Sequence, residues 1–451
     1  YTFSLRSTAR WSDGKRVKAE DFVYAWQRLV DPATQSPNHA LLNMVSGYAT
    51  VRETGDVSAL GVKAKGDSTF IVTLSAPCTY FIESVCTTPA TAPLRQAKVS
   101  GSEDLTTAAH LVTNGPYCLA EWSLGNHVRV ARSEEYYENR LLNVQEIEFV
   151  FSDLSAAYAS YQAGELDYLA ALPEEALLAR GEEVEYATWP VAHVSYLLYN
   201  HLTDTFSQET IRRAFDLAID RSALAQSLGA TASAAEGLIP YGVGADAQTG
   251  VDYRTQGGVL CAVDADGYAQ RCEEAETLLT QEGHYRGAGL AELRCLYVEG
   301  GANQQIALAL QSMWQSALGV QVALQAVSQE EYDLLLAEGE YDIAVASYTA
   351  RYGDAMSFLE PYRSDAANHV TGYANETYDL LLGVAATTAD PSARAAFLHD
   401  AEAMLLEGCA ISPLCFLKEA YLLRPEYRGL SRDCFGHSYL TEIASTVVNG
   451  S

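Results

Sequence analysis

The chain has 451 residues, 48% of them hydrophobic, and this length allows two or three domains with cores of their own. Its 58 acidic and 29 basic side chains give a formal net charge of −29, which repels phosphate backbones and anionic membrane surfaces. No run of about 18 or more apolar residues occurs, so the sequence predicts no membrane-spanning helix. We therefore expect a globular protein that has no nucleic-acid partner.

The amino-terminal segment predicts a strand, a turn and a helix. Tyr1, Phe3 and Leu5 alternate with polar residues at the two-residue period of a half-buried strand. Turn residues follow at 12–15. Apolar residues at helical spacing from Phe22 to Val30, with carboxylates in the first turn where they suit the helix dipole, predict an amphipathic helix.

The next part of the chain mixes strands and helices. Ser207 is expected to cap a helix that carries Ile211 and Phe215 on one face. Apolar alternation and helical spacing predict the other elements. These are strands at 70–74, 146–151 and 196–200, a hairpin within 117–130, and a helix at 156–163.

From residue 293 onward, strands and helices alternate regularly. Such alternation predicts consecutive βαβ units and hence a partly parallel sheet covered by helices. This arrangement indicates a second α/β lobe, and two lobes with a cleft between them are a typical ligand-site architecture. The expected order is a strand at 293–298, a helix ended by Gly319, a strand at 320–324, a helix, a strand at 341–347, a helix ended by Gly408 and a strand at 411–417.

The nine cysteines favour disulfides over a metal site. No C-x-x-C pair occurs and no two histidines have ligand spacing, so neither a metal nor a cofactor is expected. Cys261 and Cys272 flank a turn-rich loop and are the best candidates for a bridge, ahead of Cys78 and Cys86. Three cysteines lie in or beside apolar runs and are expected to be buried free thiols: Cys295, Cys409 and Cys415.

Enzyme signatures are absent from the sequence. It contains no G-x-S-x-G elbow, no Walker A loop and no H-E-x-x-H helix. A hydrolase would need a nucleophile and a base together, and His193 with Ser195 is the one simple candidate, since residues two apart on a strand share a face. We therefore expect a binding protein, with a hydrolase as the alternative from another class.

Several ordered motifs closely resemble one family. The segment WSDGKRVKAEDFVYAWQRLVDP near the amino terminus resembles the segment by which the extracellular solute-binding proteins of family 5 are recognised. These are the peptide-binding subunits of ABC importers. Further motifs similar to the family's follow in order: VTNGPYCLAEW at 112–122, GELDY at 164–168, the segment at 199–224 that ends near AIDR, and the segments at 341–362 and 371–382.

The resemblance implies a two-lobed α/β fold like that of the periplasmic binding proteins, of the large peptide-binding class II type. Mixed sheets, an extra α+β subdomain and a hinge with strands near 192–200 and 415–424 belong to this expectation. The expected division is 1–112 for the remainder of lobe I with the subdomain, 113–192 for lobe I, 193–417 for lobe III and 418–451 for the return to lobe I. Family members carry several dozen residues before the point that matches Tyr1, including a signal peptide, often a lipidated cysteine, and the first strands of lobe I.

By resemblance, the protein is expected to be a monomer that captures a peptide or peptide-like ligand and delivers it to ABC permease subunits. Ligand contact with both lobes would shift an equilibrium between open and closed forms toward the closed form, which docks on the permease. The expected location is extracellular, with a lipoprotein anchor, or periplasmic. The alternatives are a non-peptide ligand and a sensor or receptor role.

The resemblance also implies a ligand site on two strands. An extended peptide would add a strand at 347–350, pairing with the backbone of Ser347 and Thr349 while Tyr348 forms a wall. The facing segment begins at His193. The expected ligand-binding residues are Ser347, Tyr348, Thr349, Ala350, Arg351, Asp354, His193, Ser195, Tyr196 and Asn368.

Arg351 departs from the family's pattern. Peptide binders of the family usually carry an aspartate there, which holds the ligand's α-ammonium group. An arginine repels a free amino terminus and attracts a carboxylate, phosphate or carbonyl group, with Asp354 close enough in sequence to neutralise part of its charge. Gln329, Leu336 and Val345 stand where some members have basic or aromatic residues. These departures favour an amino-blocked or cyclic peptide, an anionic solute, a glycan or a metal chelate over a generic free peptide.

Overall fold

The structure, a computed structural model, describes residues 1–99, 107, 110–173, 176–177, 186–244, 251–366 and 369–446. The chain divides into two compact units. Unit 1 comprises Tyr1–Pro173, Leu422–Arg432 and Ser438–Ser451, and unit 2 comprises Glu174–Tyr421 and Asp433–His437. The finer division at residues 112, 192 and 417 stays a prediction.

Unit 1 is an α+β unit with two three-stranded antiparallel sheets. Its amino-terminal part contains β1 (Thr2–Ser4), α1 (Ala19–Val30), α2 (Tyr48–Thr54), β2 (Val62–Lys65), β3 (Thr69–Val72), α3 (Phe81–Val85), α4 (Gln96–Val99), β4 (Tyr117–Ser123), β5 (His127–Arg132), β6 (Glu146–Val150), α5 (Leu154–Ala163) and β7 (Tyr168–Leu169). Strands β1, β3 and β2 form one of these sheets in that order, and β4, β5 and β6 form the other. The predicted hairpin within 117–130 is therefore confirmed.

Helix α1 anchors the core of unit 1. The carboxylate of Asp21 accepts a hydrogen bond of 2.8 Å from the backbone N–H of Lys18, which satisfies one donor at the helix start. The Trp26 ring meets Phe70 of β3 edge-on at 5.1 Å between ring centroids, and its indole N–H donates to the Thr91 carbonyl at 2.9 Å. The helix predicted from Phe22 to Val30 is thus confirmed.

Unit 2 carries the larger sheet. Its elements are β8 (Ala187–Tyr199), α6 (Glu209–Leu217), α7 (Arg221–Ser227), β9 (Ala232–Ala234), α8 (Tyr253–Gly257), α9 (Tyr268–Gln281), β10 (Leu293–Val298), α10 (Gly301–Leu318), β11 (Val322–Val327), α11 (Gln329–Glu338), β12 (Ile343–Thr349), α12 (Met356–Leu359), α13 (Glu376–Thr387), α14 (Pro391–Glu407) and β13 (Ile411–Leu423). Four short strands of unit 1 follow: β14 (Tyr427–Arg428), β15 (Ser431–Arg432), β16 (Ser438–Tyr439) and β17 (Ala444–Ser445).

The unit 2 sheet has the strand order β11-β10-β12-β8-β13, and β9 pairs with β13. Strand β10 pairs in parallel with β11 and β12, whereas β8 is antiparallel to β12 and β13. The predicted βαβ units and partly parallel sheet are therefore confirmed. Helix α10 fills the core against this sheet, where Trp314 is fully buried and donates its indole N–H to the Phe215 carbonyl at 3.1 Å.

Two local predictions are wrong. Ser207 does not cap α6, because Gln208 occupies the N-cap position and the Ser207 hydroxyl donates to the Asp204 carbonyl. The bridge between Cys261 and Cys272 is not formed, since all nine cysteines are free thiols. Cys261 is buried and its backbone N–H donates to the Glu236 carbonyl, while Cys272 hydrogen-bonds the Tyr268 side chain within α9.

The other cysteine prediction is confirmed. Cys295, Cys409 and Cys415 are all buried thiols. Burial raises the pKa of the Cys295 thiol to about 12, because the thiolate would lose its hydration. These residues therefore act as small apolar groups in the core of unit 2.

Stability should fall in mild acid through His201. Burial, and secondarily the Arg212 guanidinium, lower the pKa of His201 from 6.5 to about 4, and its ring Nε2 lies 3.1 Å from the Ala410 carbonyl oxygen. The unfolded chain then binds more protons than the folded chain between these values, so stabilisation present above pH 6.5 is lost as the pH falls. Through His201, the free energy of unfolding of the wild type should fall by about 2 kcal/mol between pH 6.5 and pH 5, and we expect His201→Gln to remove this contribution.

Urea unfolding of both proteins at the two pH values measures this effect. His284→Gln, at a half-buried histidine that also contacts a backbone carbonyl, serves as the matched control and should retain the wild-type pH dependence. An unchanged slope of stability against pH in His201→Gln would contradict the assignment.

Candidate functional site

The central feature of the site is a strand edge that is open over only a few residues. Strand β12 pairs with β8 along its whole length, up to Thr349 opposite His193. On its other side, the pairing with β10 reaches only Ala344. The Ala350 N–H donates to the Ala192 carbonyl at 2.8 Å, which shows that even-numbered residues direct their backbone groups toward β8. By the antiparallel alternation, Ser347 and Thr349 direct their N–H and C=O groups to the open side.

Two side chains on one face of these strands form a polar contact. His193 and Thr349 lie opposite each other, and the imidazole Nδ1 is 2.8 Å from the threonine Oγ1. Ser195 shares their face but is buried, and its hydroxyl hydrogen-bonds the Cys415 thiol. The histidine and the serine thus have separate partners, and the geometry gives no support to a nucleophile and base pair.

The opposite face of the strands is an aromatic wall. Tyr196 meets Tyr362 edge-on at 6.4 Å between ring centroids, and Tyr348 meets Phe358 at 5.4 Å. The Tyr348 hydroxyl lies 3.2 Å from the hydroxyl of Ser357. Burial raises the pKa of Tyr196 to about 12, so this side chain packs against Tyr362 as a neutral phenol.

A groove of about 660 Å³ adjoins the open edge. The Tyr332 hydroxyl donates to the Val345 carbonyl at 2.9 Å, which closes the edge at this end. Gln329 donates to the exposed Asp333 carboxylate at 2.9 Å. Among the lining residues that the structure describes, Asp333 is the only acid, and there is no lysine or arginine. The lining residues are Tyr196, Leu198, Val298, Asn303, Gln329, Tyr332, Asp333, Leu336, Ala337, Val345, Ala346, Ser347, Pro361, Tyr362, His369, Val370 and Thr371.

The loop after β12 is fixed by a buried ion pair. Arg394 of α14 donates to both carboxylate oxygens of Asp354, at 2.8 and 2.7 Å, and Asp354 is 5% exposed. Such two-point geometry is characteristic of strong arginine–carboxylate pairs. The backbone N–H of Arg351 donates to the Ser357 hydroxyl at 2.9 Å. Both oxygens of Asp354 are therefore bound by Arg394. Asp354 thus pairs with Arg394 and does not neutralise Arg351, contrary to the sequence-based expectation.

Comparison with known proteins places the chain in a family. Residues 1–369 match the bacterial extracellular solute-binding proteins, family 5. The chain belongs to this family. The periplasmic oligopeptide-binding protein OppA of Salmonella typhimurium is 30% identical over 439 residues, which cover 94% of this chain and 78% of OppA. The probable deoxycholate-binding periplasmic protein YgiS of Escherichia coli is 29% identical, over 95% of this chain and 79% of YgiS.

The fold of this family 5 protein also matches a solved structure. The unliganded open form of MppA, a periplasmic murein tripeptide binding protein, superposes with a TM-score of 0.89 at 26% identity, over 98% of this chain and 85% of that one. This likeness confirms the fold class that the sequence predicted. The relatives are named as periplasmic proteins, and no helix in the described part of the chain is long and apolar enough to cross a membrane.

The structure brings nine of the ten predicted site residues of this family 5 protein to two neighbouring strands and the loop after them. Asn368 lies outside the described residues. The sequence interpretation missed Arg394, Tyr362 and Glu360. Arg394 lies within a helical pattern, and nothing in that pattern indicates a partner 40 residues away. Tyr362 could have been found, because Phe358 and Tyr362 lie close together in the sequence just after the predicted site strand.

Glu360 is the acidic neighbour of Arg351. Burial raises the pKa of the Glu360 carboxyl, and a hydrogen bond from Tyr352 and the positive charge of Arg351 both act in the opposite direction. Arg351 itself is exposed. Among the described residues, no group of three or more histidine, cysteine, aspartate or glutamate side chains is placed to hold a metal ion. The site thus offers an open strand edge, an aromatic wall, a cation and a groove.

Removing the charge of Asp354 should destabilise unit 2. Asp354→Asn leaves the Arg394 guanidinium half-paired in a buried position, and breaking a buried pair costs about 3–5 kcal/mol. The matched control is Asp365→Asn, which breaks the exposed pair with Arg363 and should leave the midpoint of denaturant unfolding unchanged. Equal midpoints for Asp354→Asn and the wild type would contradict a structural role for the pair.

Proposed function

We propose that this protein captures a peptide or peptide-like solute along the open edge of β12 and delivers it to the permease of an ABC importer. The observation that carries the proposal is the orientation of the backbone groups of Ser347 and Thr349, which face away from β8 beyond the last residue that pairs with β10. Backbone groups at an open edge bind an extended peptide as an added strand, whatever its side chains. Delivery to a permease is what membership of the family implies.

The names of the relatives support this reading. OppA is named for oligopeptides and DppE of Bacillus subtilis for dipeptides, and both match most of this chain. The groove beside the open edge, at about 660 Å³, has the size of a small-molecule site and suits ligand side chains. In this proposal the protein binds its ligand without catalysis. It acts either in the periplasm or outside the cell, where a lipoprotein anchor would hold it to the membrane.

A second candidate is a non-peptide anionic solute. Arg351 is exposed at the end of the open edge, and an exposed guanidinium recognises carboxylates well. YgiS, which matches 95% of this chain, is named as a probable deoxycholate-binding protein. A thermal-shift screen of peptides beside organic anions separates the two candidates, because a ligand of the folded state raises its apparent stability.

Proline substitutions should distinguish backbone donors on the open side of β12, which bind the ligand, from donors on the side paired with β8, which stabilise the fold. Ser347→Pro removes a backbone donor that faces the ligand and leaves the groups paired with β8 in place. We expect it to weaken the best peptide of the screen about tenfold in isothermal titration, because a buried hydrogen-bond partner is lost. Ser347→Ala retains the backbone N–H and should bind within about threefold of the wild type.

Tyr348→Pro is the matched structural control. It removes a donor that faces β8, so it should lower the unfolding midpoint, which Ser347→Pro should leave nearly unchanged. Equal peptide affinity in the wild type and in a folded Ser347→Pro variant would overturn the proposed binding mode. Stabilisation by organic anions alone would favour the second candidate.

A further inference from the structure

The two ends of the open edge differ in charge. Arg351 is exposed directly beyond one end, and its backbone is held by the Ser357 hydroxyl. Asp354, the nearest acid in the sequence, is bound through both oxygens by Arg394. Arg351 therefore keeps its charge available, with Glu360 as a partly buried acidic neighbour.

The other end of the open edge leads into the groove, where the charge has the opposite sign. Asp333 is exposed there, and the described lining residues include neither lysine nor arginine. The neutral polar groups of Asn303, Gln329 and Thr371 accompany it. This end suits an ammonium group or a neutral polar group, and among its described residues no lysine or arginine is available to bind a carboxylate.

We propose that Arg351 sets the direction of the bound peptide: it binds the ligand's carboxylate, so that the peptide lies with its carboxyl end at Arg351 and its amino end toward Asp333. This inference rests on the proposed function. A guanidinium forms charge-assisted, two-point hydrogen bonds with a carboxylate, which add both strength and geometric selection. An amino terminus at the same position would meet a like charge instead.

Strand geometry agrees with this direction. Strand β10 pairs in parallel with β12 on the side where the edge later opens. A peptide with its carboxyl end at Arg351 also runs parallel to β12, so it continues that arrangement past the end of the β10 pairing. The four residue-to-residue steps from Ser347 to Arg351 span roughly 13 Å at about 3.3 Å per step, which matches a tri- or tetrapeptide.

The test uses one mixed-sequence tripeptide pool prepared in four forms: both ends free, acetylated at the amino end, amidated at the carboxyl end, and blocked at both ends. Each form is equilibrated with the whole protein, and the retained peptides are quantified by mass spectrometry and then titrated individually. We expect acetylation to be tolerated and amidation to weaken binding about tenfold, the scale of a lost charge-assisted hydrogen bond.

Variants at Arg351 make the test specific to this side chain. Arg351→Ala should bring the acid and the amide to equal affinity, and Arg351→Asp should favour amides with free amino ends. Arg363→Ala is the matched control, because its guanidinium is already bound to Asp365 at 2.8 and 3.0 Å and should not affect the ratio. Glu360→Gln removes the acidic neighbour and should strengthen acid binding a few-fold, an effect that salt reduces.

The outcomes separate this inference from the proposed function. If the wild type retains the peptides but binds the amide more tightly than the acid, the proposed direction, with the carboxyl end at Arg351, is wrong, whereas peptide binding itself is supported. An acid-to-amide ratio that is unchanged in Arg351→Ala would also overturn it. A protein that retains none of the four forms contradicts the proposed function, and the inference falls with it.

Discussion

The register between β12 and β8 is the constraint on which the site depends. In this register Ala350 bonds Ala192, which turns the backbone of Ser347 and Thr349 to the side where the pairing with β10 has ended. A slip by one residue would reverse every group along the strand, placing the free donors against β8 and the aromatic wall in the core. The core fixes the register, because Ile343 and Val345 must lie on the buried face that they share with Leu197 and Tyr199.

The buried pair of Asp354 and Arg394 extends this order into the loop after β12. A buried ion pair contributes little net stability, since desolvation of two charges offsets much of their attraction. Its effect here is positional, because the carboxylate also accepts the Met356 N–H at 2.8 Å and so connects the loop to α12. The Ser357 hydroxyl of α12 in turn holds the Arg351 backbone. The exposed guanidinium thus projects from an ordered backbone, which reduces the entropy that ligand binding must remove.

The sequence predicted the elements around the site well and the contacts between them poorly. The helix that became α10 and the strand at 293–298 followed from periodicity and glycine stops, which are local signals. The role of Asp354 was misjudged because its partner lies 40 residues away on α14, where no local pattern marks it. The missing bridge has the same origin, since the spacing of Cys261 and Cys272 says nothing about the direction in which each thiol points. Local rules thus identified the strand that carries the site, whereas long-range packing decided which charges are free there.

An open strand edge invites pairing with any other exposed edge, so a protein that keeps one for function must protect it. Here the opening is short: Tyr332 closes it at Val345, and the loop held by Ser357 closes it at Arg351. Exposed charges of opposite sign, Arg351 and Asp333, stand at its two ends and penalise the approach of an uncharged strand. The formal charge of −29 adds repulsion between copies of the chain. The features that would select a short charged peptide are therefore the same features that disfavour edge-to-edge association.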